Sequence, residues 1–234
     1  MQLEFTDNDN YEDEWLFCAV SDTMKLEAQE TNVWCWAASS RMMVSIFMDS
    51  QISQASLAVY INPLIGGTET LVPTKGQIAA AIFGGSADAE ALAINYLLGM
   101  DKNNNVKAYA TKPEHIYSKA VLQSLLDDGY PVLINRGEYE DGVRVGGHAS
   151  VIYDYFQDEE TGQILFTIYD PWPQASNNSS GGQIYHKSYE WICNSMEFSN
   201  ADSAGIIGKV WDSAVVFMYC DQYSNTKRFD FVSD

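Results

Sequence analysis

The chain has 234 residues, of which 46% are hydrophobic and 13% aromatic, so it can bury the core of one two-lobed domain and is too apolar for a disordered protein. Its 13 basic and 32 acidic residues give a net charge of −19, which argues against nucleic acid and membrane surfaces as partners, because both are anionic, and is compatible with basic peptides or proteins. No apolar run is long enough to span a membrane and the N-terminus lacks a Sec-type signal, so we expect a cytoplasmic protein or one exported without such a signal, as a delivered effector is.

The N-terminal segment differs in composition from the rest of the chain. Residues 1–24 are acidic and mixed, which predicts a solvated arm, and residues 25–234 are predicted to form a single domain. Apolar and small residues then recur at helical spacing over 34–48, and Thr31 or Asn32 precedes them as a candidate N-cap. This pattern places Cys35 in the first turn of a helix.

The two halves of the chain favour different secondary structures. Further helices are predicted in the first half at 53–60 (ending before Pro63), 74–83, 87–98 and from Pro113 to Asp128, where Gly129 stops the last one. The second half predicts strands at 131–135, 148–156, 164–170, 183–191 and 209–220. We therefore expect an α+β domain in which a helical lobe, 25–129, packs on an antiparallel β lobe, 130–234, with loops 61–73 and 174–183 bordering the cleft between them.

Cys35 is a candidate nucleophile in this arrangement. A helix N-terminus stabilises a thiolate, which is the reactive form of cysteine. Cys35 lies between Trp34 and Trp36, however, and taken alone it fits a buried structural cysteine better.

His148 and Asp170 are predicted to face each other across a hairpin. Two glycines precede His148, which is predicted to open a strand, and Asp170 ends the next strand. If a three-residue loop within 158–162 joins the strands, residues that face each other have position numbers with an even sum, so both side chains lie on one face within a diagonal step. A carboxylate there can orient the imidazole of a general base, although a purely structural hydrogen bond is the alternative. Gln29 before the helix can donate its amide to an oxyanion.

These residues together resemble the papain-like cysteine peptidases. The chain carries Gln29, then after five residues Cys35-Trp36-Ala37, and later Gly147-His148-Ala149 and Asp170 with Trp172 two positions beyond. The motifs are most similar to bacterial members, namely effector peptidases with a Cys-Trp-Ala-Ala stretch and double-glycine leader peptidases with a Tyr-Asp-Pro segment. The resemblance implies a papain-like two-lobed fold, a catalytic set of Cys35, His148, Asp170 and Gln29, and substrate-binding roles for Trp36, Gly147 and Trp172.

The resemblance implies peptide-bond hydrolysis through a thioacyl-enzyme, with no cofactor and no metal. Two alternatives stay open. The same triad can transfer the acyl group or cleave an isopeptide or side-chain amide, as in transglutaminase-like and amidase-like enzymes, or the fold can serve as a non-catalytic binding module. The substrate is expected to be a peptide or protein, and the acidic surface favours a basic one. The oligomeric state is not predicted.

The remaining cysteines and histidines carry no motif. Cys18, Cys193 and Cys220 are scattered and show neither a disulfide framework nor zinc-ligand spacing, and whether Cys193 pairs with Cys220 stays open. His115 and His186 lack companion residues, so His115 is predicted to lie at the surface of its helix and His186 on one face of a strand, alternating with Tyr185.

Overall fold

The structure, a computed structural model, describes residues 24–31, 34–49, 52–64, 87–99, 106–110, 116–141, 143–172, 182–198 and 206–219. Residues 1–23 of the predicted N-terminal arm and the predicted helix 74–83 lie outside these residues, as do His115, Cys18 and Cys220, whereas Met24 is described and is buried in the core and not solvated. Helices in the described ranges are α1 (Cys35–Val44), α2 (Gln54–Leu64), α3 (Ala87–Leu98), α4 (Lys119–Asp127) and α5 (Tyr189–Cys193). Strands are β1 (Val106–Ala110), β2 (Val132–Glu140), β3 (Val143–Gln157), β4 (Ile164–Asp170), β5 (Gln183–Ser188), β6 (Asn194–Phe198) and β7 (Ile206–Tyr219).

Helix α1 is a buried helix in the helical half of the chain. Its small residues Ala37 and Ala38 are fully buried, as are Met42 and Met43 on the following turn, so neighbouring elements pack closely on all sides. The residue at its N-cap is Trp34, which makes no side-chain cap hydrogen bond. The structure therefore places Trp34, and not Thr31, at the N-cap of α1.

Two other helices differ from the prediction at one end. Helix α2 runs through Pro63 to Leu64, beyond the predicted end at residue 60, because the φ of proline, near −65°, is itself helical and only one hydrogen bond is lost. Helix α4 begins at Lys119, where the Ser118 side chain accepts a hydrogen bond from the backbone of the first turn, and not directly after Pro113. Gly129 ends it with a φ of 79°, as predicted.

The strands form one antiparallel sheet, in the order β1-β7-β2-β3-β4-β5, with β6 also paired to β7. Strand β1 comes from the part of the chain that was assigned to the helical lobe, and it pairs along β7 over Val106–Ala110. The α+β class and the antiparallel sheet are confirmed. The sheet also contains two strands, β1 and β6, that periodicity did not predict.

Several strand ends also differ from the prediction. Strand β3 begins at Val143, so His148 lies within the strand and does not open it. The predicted strand 183–191 ends at Ser188, whose hydroxyl accepts a hydrogen bond from the Trp191 N–H and starts the short helix α5. A serine cap thus overrides the β-favouring side chains that follow it.

Both faces of the sheet are covered. One hydrophobic cluster joins α1, α2 and α3 to the sheet through residues such as Leu133, Val151 and Phe217. The other joins α4 and α5 to the opposite face, where Ile152 and Trp211 are buried. The predicted packing of helices on the sheet is confirmed on one face, and the second face receives two helices of its own.

The helices described here do not include one that is long and apolar enough to cross a membrane.

Candidate active site

Helix α1 and strand β3 bring Cys35 and His148 together. Cys35 is the first residue of α1, and its sulfur is hydrogen-bonded to the His148 side chain and to the backbone N–H groups of Trp36 and Ala149. The sulfur therefore sits where the start of a helix and a strand of the sheet meet. Sequence alone left Cys35 as either a core cysteine or a nucleophile, and this contact places it against an imidazole.

The register of β3 and β4 sets His148 beside Asp170. The two strands are joined by the six residues 158–163, so the predicted three-residue loop is wrong. Near that loop, the position numbers of two paired residues add up to an odd number. An irregularity between Ile152 and Asp154 shifts the register by one residue, and beyond it the position numbers of a pair add up to an even number, as for Val151 and Tyr169. Continued by one residue, this register puts Asp170 one diagonal step from His148.

Asp170 holds the imidazole and is itself held by three donors. His148 Nε2 lies 2.7 Å from Asp170 Oδ1, the Trp172 N–H donates to the same oxygen at 2.7 Å, and the Tyr185 hydroxyl donates to Oδ2 at 2.9 Å. Because Nε2 is engaged by the carboxylate, Nδ1 is the ring nitrogen that faces the sulfur. The carboxylate fixes both the position and the tautomer of the ring.

The electrostatics of the three side chains favour a charged pair. Burial raises the pKa of the Cys35 thiol, but the hydrogen bond and charge of His148 outweigh burial and leave that pKa below its ordinary value. Burial lowers the pKa of His148, but Asp170 and Cys35 raise it to about 10. Burial likewise raises the pKa of Asp170, and His148 more than reverses that effect. All three shifts act in the same sense and favour the charged forms: thiolate, imidazolium and carboxylate.

Trp172 covers the orienting bond. Its ring centroid lies 6.1 Å from that of His148 at an interplanar angle of 78°, an edge-to-face contact. The indole lies beside the His148–Asp170 pair, and its role in screening that bond from water stays a prediction.

Gln29 is held at the junction of the two halves. Its side chain is only 6% exposed, its backbone N–H donates to the Pro171 carbonyl at 2.7 Å, and its Nε2 donates to the Thr31 carbonyl at 2.7 Å. Its Oε1 is buried and has no hydrogen-bond partner in the part of the chain that the structure describes. The amide is fixed near the start of α1 by contacts on both sides.

The two other predicted substrate-binding residues occupy different environments. Trp36 is 3% exposed and belongs to the core cluster under α1, and its substrate-binding role stays a prediction that this burial does not favour. Gly147 is exposed and lies in β3 opposite Gly137, next to His148. His186 is an exposed residue of β5, 3.2 Å from the Thr167 hydroxyl.

Sequence reasoning missed Tyr185 and a cavity beside the site. Tyr185 alternates with Gln183 and Lys187 along β5, and all three line a cavity of about 310 Å³ together with His148 and Asp170. The alternation in Gln183–Ser188 is visible in the sequence, but the neighbouring strand that it faces is not.

Comparisons with known proteins give one family. The model of the Peptidase_C39 like family matches residues 21–195. A solved structure from Bacillus anthracis, described as a C39-like peptidase, has 12% sequence identity and a TM-score of 0.47, and the similarity covers 86% of this chain and 98% of that chain. A search of curated proteins gave no match.

Proposed function

The chain belongs to the Peptidase_C39 like family, a family of cysteine peptidases, and from this membership we propose that it hydrolyses peptide bonds through a triad of Cys35, His148 and Asp170. One observation carries the proposal. The sulfur, the imidazole and the carboxylate form a continuous chain of hydrogen bonds. A cysteine that served packing alone would gain nothing from an imidazole held by a buried carboxylate.

The first half of the reaction uses the charged pair. The Cys35 thiolate attacks the carbonyl carbon of the scissile bond, and the carbonyl electron pair moves onto oxygen. His148 then gives its proton to the leaving nitrogen, the C–N bond breaks, and a thioester remains on Cys35. Asp170 keeps the imidazole oriented and stabilises its positive charge until the proton is transferred.

The second half returns the enzyme to its starting state. Neutral His148 takes a proton from a water molecule, which attacks the thioester and releases a carboxylic acid. The Cys35 sulfur leaves as thiolate, and His148 is again protonated. The cycle consumes one water molecule and requires no cofactor.

Gln29 and the backbone of Cys35 serve as oxyanion donors in this proposal. Helix α1 starts at Cys35, so the N–H of this residue has no intrahelical acceptor. The Gln29 amide carries two hydrogens, and the Thr31 carbonyl takes one of them. The second is free to donate to the developing negative charge, which is worth about 10²- to 10³-fold in rate for donors of this kind.

Acyl transfer is the main alternative because it uses the same thioester. Water and an amine compete for that intermediate, and the triad alone does not select between them. The three side chains favour a charged state that a non-catalytic binding module would not need, so this state does not support the binding-module alternative.

The test is a peptide-library assay of the wild type, Cys35→Ala and the matched control Cys193→Ala. Cys193 is also a free thiol, but burial raises its pKa and it lies away from the triad. We expect Cys35→Ala to lose at least about 10³-fold in kcat/KM with an unchanged melting temperature, whereas Cys193→Ala stays active.

Product analysis by mass spectrometry in the presence of added methylamine separates hydrolysis from transfer. Free carboxylic acid as the main product supports the proposal. Amide product without acid would assign acyl transfer, and turnover in Cys35→Ala equal to that of the wild type would remove the triad altogether.

A further inference from the structure

The cavity beside His148 and Asp170 has a charge opposite to that of the whole chain. Three cationic side chains line it, namely Arg136 from β2, Lys187 from β5 and Lys209 from β7. They are three of the 13 basic residues in a chain with a net charge of −19. Such a concentration is unexpected for a chain in which basic residues are so scarce.

The cations are fixed by their surroundings to different degrees. Arg136 donates to the backbone carbonyls of Ile192 and Trp191, each at 3.1 Å, and its guanidinium lies 3.9 Å from the centroid of the Trp191 ring. Lys209 is 3% exposed and its ammonium lies 3.4 Å from Glu138 Oε1. Both are preorganised in the wall of the cavity.

Lys187 lines the same cavity, and no carboxylate among the described residues balances its charge. Its Nζ lies 4.8 Å from the centroid of the Trp191 ring, which brings it to the ring that Arg136 also contacts. Lys187 forms no ion pair with any residue that the structure describes. Among the described residues that line the cavity, the carboxylate is that of Asp170, which already accepts three hydrogen bonds.

Aromatic and neutral polar side chains complete the wall. The indoles of Trp172 and Trp191 and the phenol of Tyr185 line the same space, together with Ser150 and Gln183. The low-dielectric protein wall on one side of the cavity strengthens charge interactions relative to a flat, fully solvated surface. A volume of about 310 Å³ suits one side-chain-sized group and is too small for a folded partner.

We infer that this cavity binds a carboxylate group of the peptide substrate, so that the enzyme prefers acidic peptides. The inference rests on the proposed function. His148 lines the cavity and also hydrogen-bonds Cys35, which does not itself line the cavity. A peptide whose carboxylate occupies the cavity must therefore extend past the imidazole to present its scissile bond to the sulfur. The carboxylate can come from a Glu or Asp side chain or from the C-terminus of the peptide.

The net charge of the protein favours a basic substrate, so the two effects oppose each other. At physiological ionic strength the Debye length is about 8 Å, and charges spread over the surface act weakly at the site. The cations that line the cavity act on a bound group at contact distance, where screening by salt is weakest. Local charge therefore decides which side chain binds, and the net charge lowers the rate of encounter.

The experiment compares peptides in which Glu replaces its isostere Gln at one position at a time, each with a free or an amidated C-terminus. We expect one Glu position, or the free C-terminus, to raise kcat/KM by about tenfold, as a charge-assisted hydrogen bond does. The position identifies a side-chain source, and loss of the preference on amidation identifies the terminal source. Lys187→Gln should lower kcat/KM for the preferred acidic peptide more than for its Gln or amide counterpart.

Lys25→Gln is the matched control, because Lys25 is 64% exposed and paired with Asp49 at the surface, outside the cavity. Like Lys187→Gln, Lys25→Gln removes one positive charge, but it should leave the preference for the acidic peptide unchanged. Equal rates for the acidic and neutral peptides in the wild type, or an equal effect of both lysine variants, would overturn the inference.

A binding measurement separates failure of this inference from failure of the proposed function. The same peptides are titrated by calorimetry into Cys35→Ala, which cannot turn over. If the acidic peptide binds more tightly than its neutral counterpart, and if Lys187→Gln abolishes this difference, the cavity binds carboxylate even when the wild type cleaves nothing. Cleavage without any preference for a carboxylate would support the proposed function and would show that the cavity does not select the substrate.

Discussion

At the scale of single residues, the sulfur of Cys35 is informative because of what surrounds it. Burial by itself favours the neutral thiol. The imidazole of His148 reverses that preference, and Asp170 keeps the imidazole charged. Each of the three side chains therefore depends on the next for its charge state.

Asp170→Asn should narrow the pH range in which the charged pair exists. The raised pKa of His148, about 10, means that the imidazolium is present below that pH and is lost as the pH rises through it. Without the carboxylate that pKa falls, so the alkaline limit moves to lower pH. We expect kcat/KM to fall by at least about tenfold at neutral pH without reaching zero.

The measurement is the rate of iodoacetamide alkylation of Cys35 across pH, beside the pH profile of kcat/KM. Cys193 in the same molecule is the internal reference and should react more slowly near neutral pH in the wild type. Asp154→Asn is the control, because Asp154 is an exposed residue of the same strand as His148 and should change neither profile. Identical profiles for Asp170→Asn and the wild type would mean that the carboxylate does not orient the ring.

At the scale of elements, the segment before α1 is tied to α2. The Gln54 side chain accepts from the Glu30 N–H at 3.0 Å, and it donates to the Ala28 carbonyl at 2.7 Å and to Glu27 Oε1 at 2.6 Å. These bonds enclose Gln29 on both sides along the chain. The position of a proposed oxyanion donor is thus set by a buried side chain of another helix.

Gln54→Ala should therefore affect both stability and rate. It removes the partner of the Glu30 N–H and of the Ala28 carbonyl, both in part-buried hydrogen bonds, which costs about 0.5–1.5 kcal/mol each, and it loosens the segment that carries Gln29. We expect a lower melting temperature and a several-fold fall in kcat with a smaller change in KM. Ser56→Ala, an exposed change on the same helix, should alter neither, and a Gln54→Ala enzyme with wild-type kcat would show that this tether does not position the amide.

At the scale of the whole molecule, a net charge of −19 opposes the compact state through self-repulsion. Raising the salt concentration from about 10 mM to about 150 mM shortens the Debye length from about 30 Å to about 8 Å. We expect the melting temperature at pH 7 to rise by about 2–4 °C, which corresponds to about 1 kcal/mol in a chain of this size.

Calorimetry in NaCl and KCl tests this expectation, since screening acts alike in both salts. A rise in one salt only would indicate a specific ion. A melting temperature that falls with either salt would mean that attractive pairs, such as that of Arg41 and Glu27 at 2.7 Å, outweigh the net repulsion.

What the sequence determined by itself is local. The periodicity over 34–48 predicted α1, Gly129 predicted the end of α4, and the order of Gln29, Cys35, His148 and Asp170 predicted the resemblance to papain-like cysteine peptidases, which the family match confirms. The first two depend on neighbours within a few residues, where spacing and backbone preferences act directly, and the third depends on short local motifs read in their order along the chain. The division into an arm and one domain stays a prediction.

What only the tertiary structure decided is non-local. The loop between β3 and β4 was predicted with the wrong length, and one register shift near Tyr153 restored the alignment of His148 with Asp170. The cationic cavity likewise depends on which strands become neighbours, since Arg136, Lys187 and Lys209 are far apart in the chain. The pattern along one strand determines which of its residues share a face. Which residues lie opposite that face depends on strand pairing between distant parts of the chain, and a one-residue bulge is enough to change this pairing.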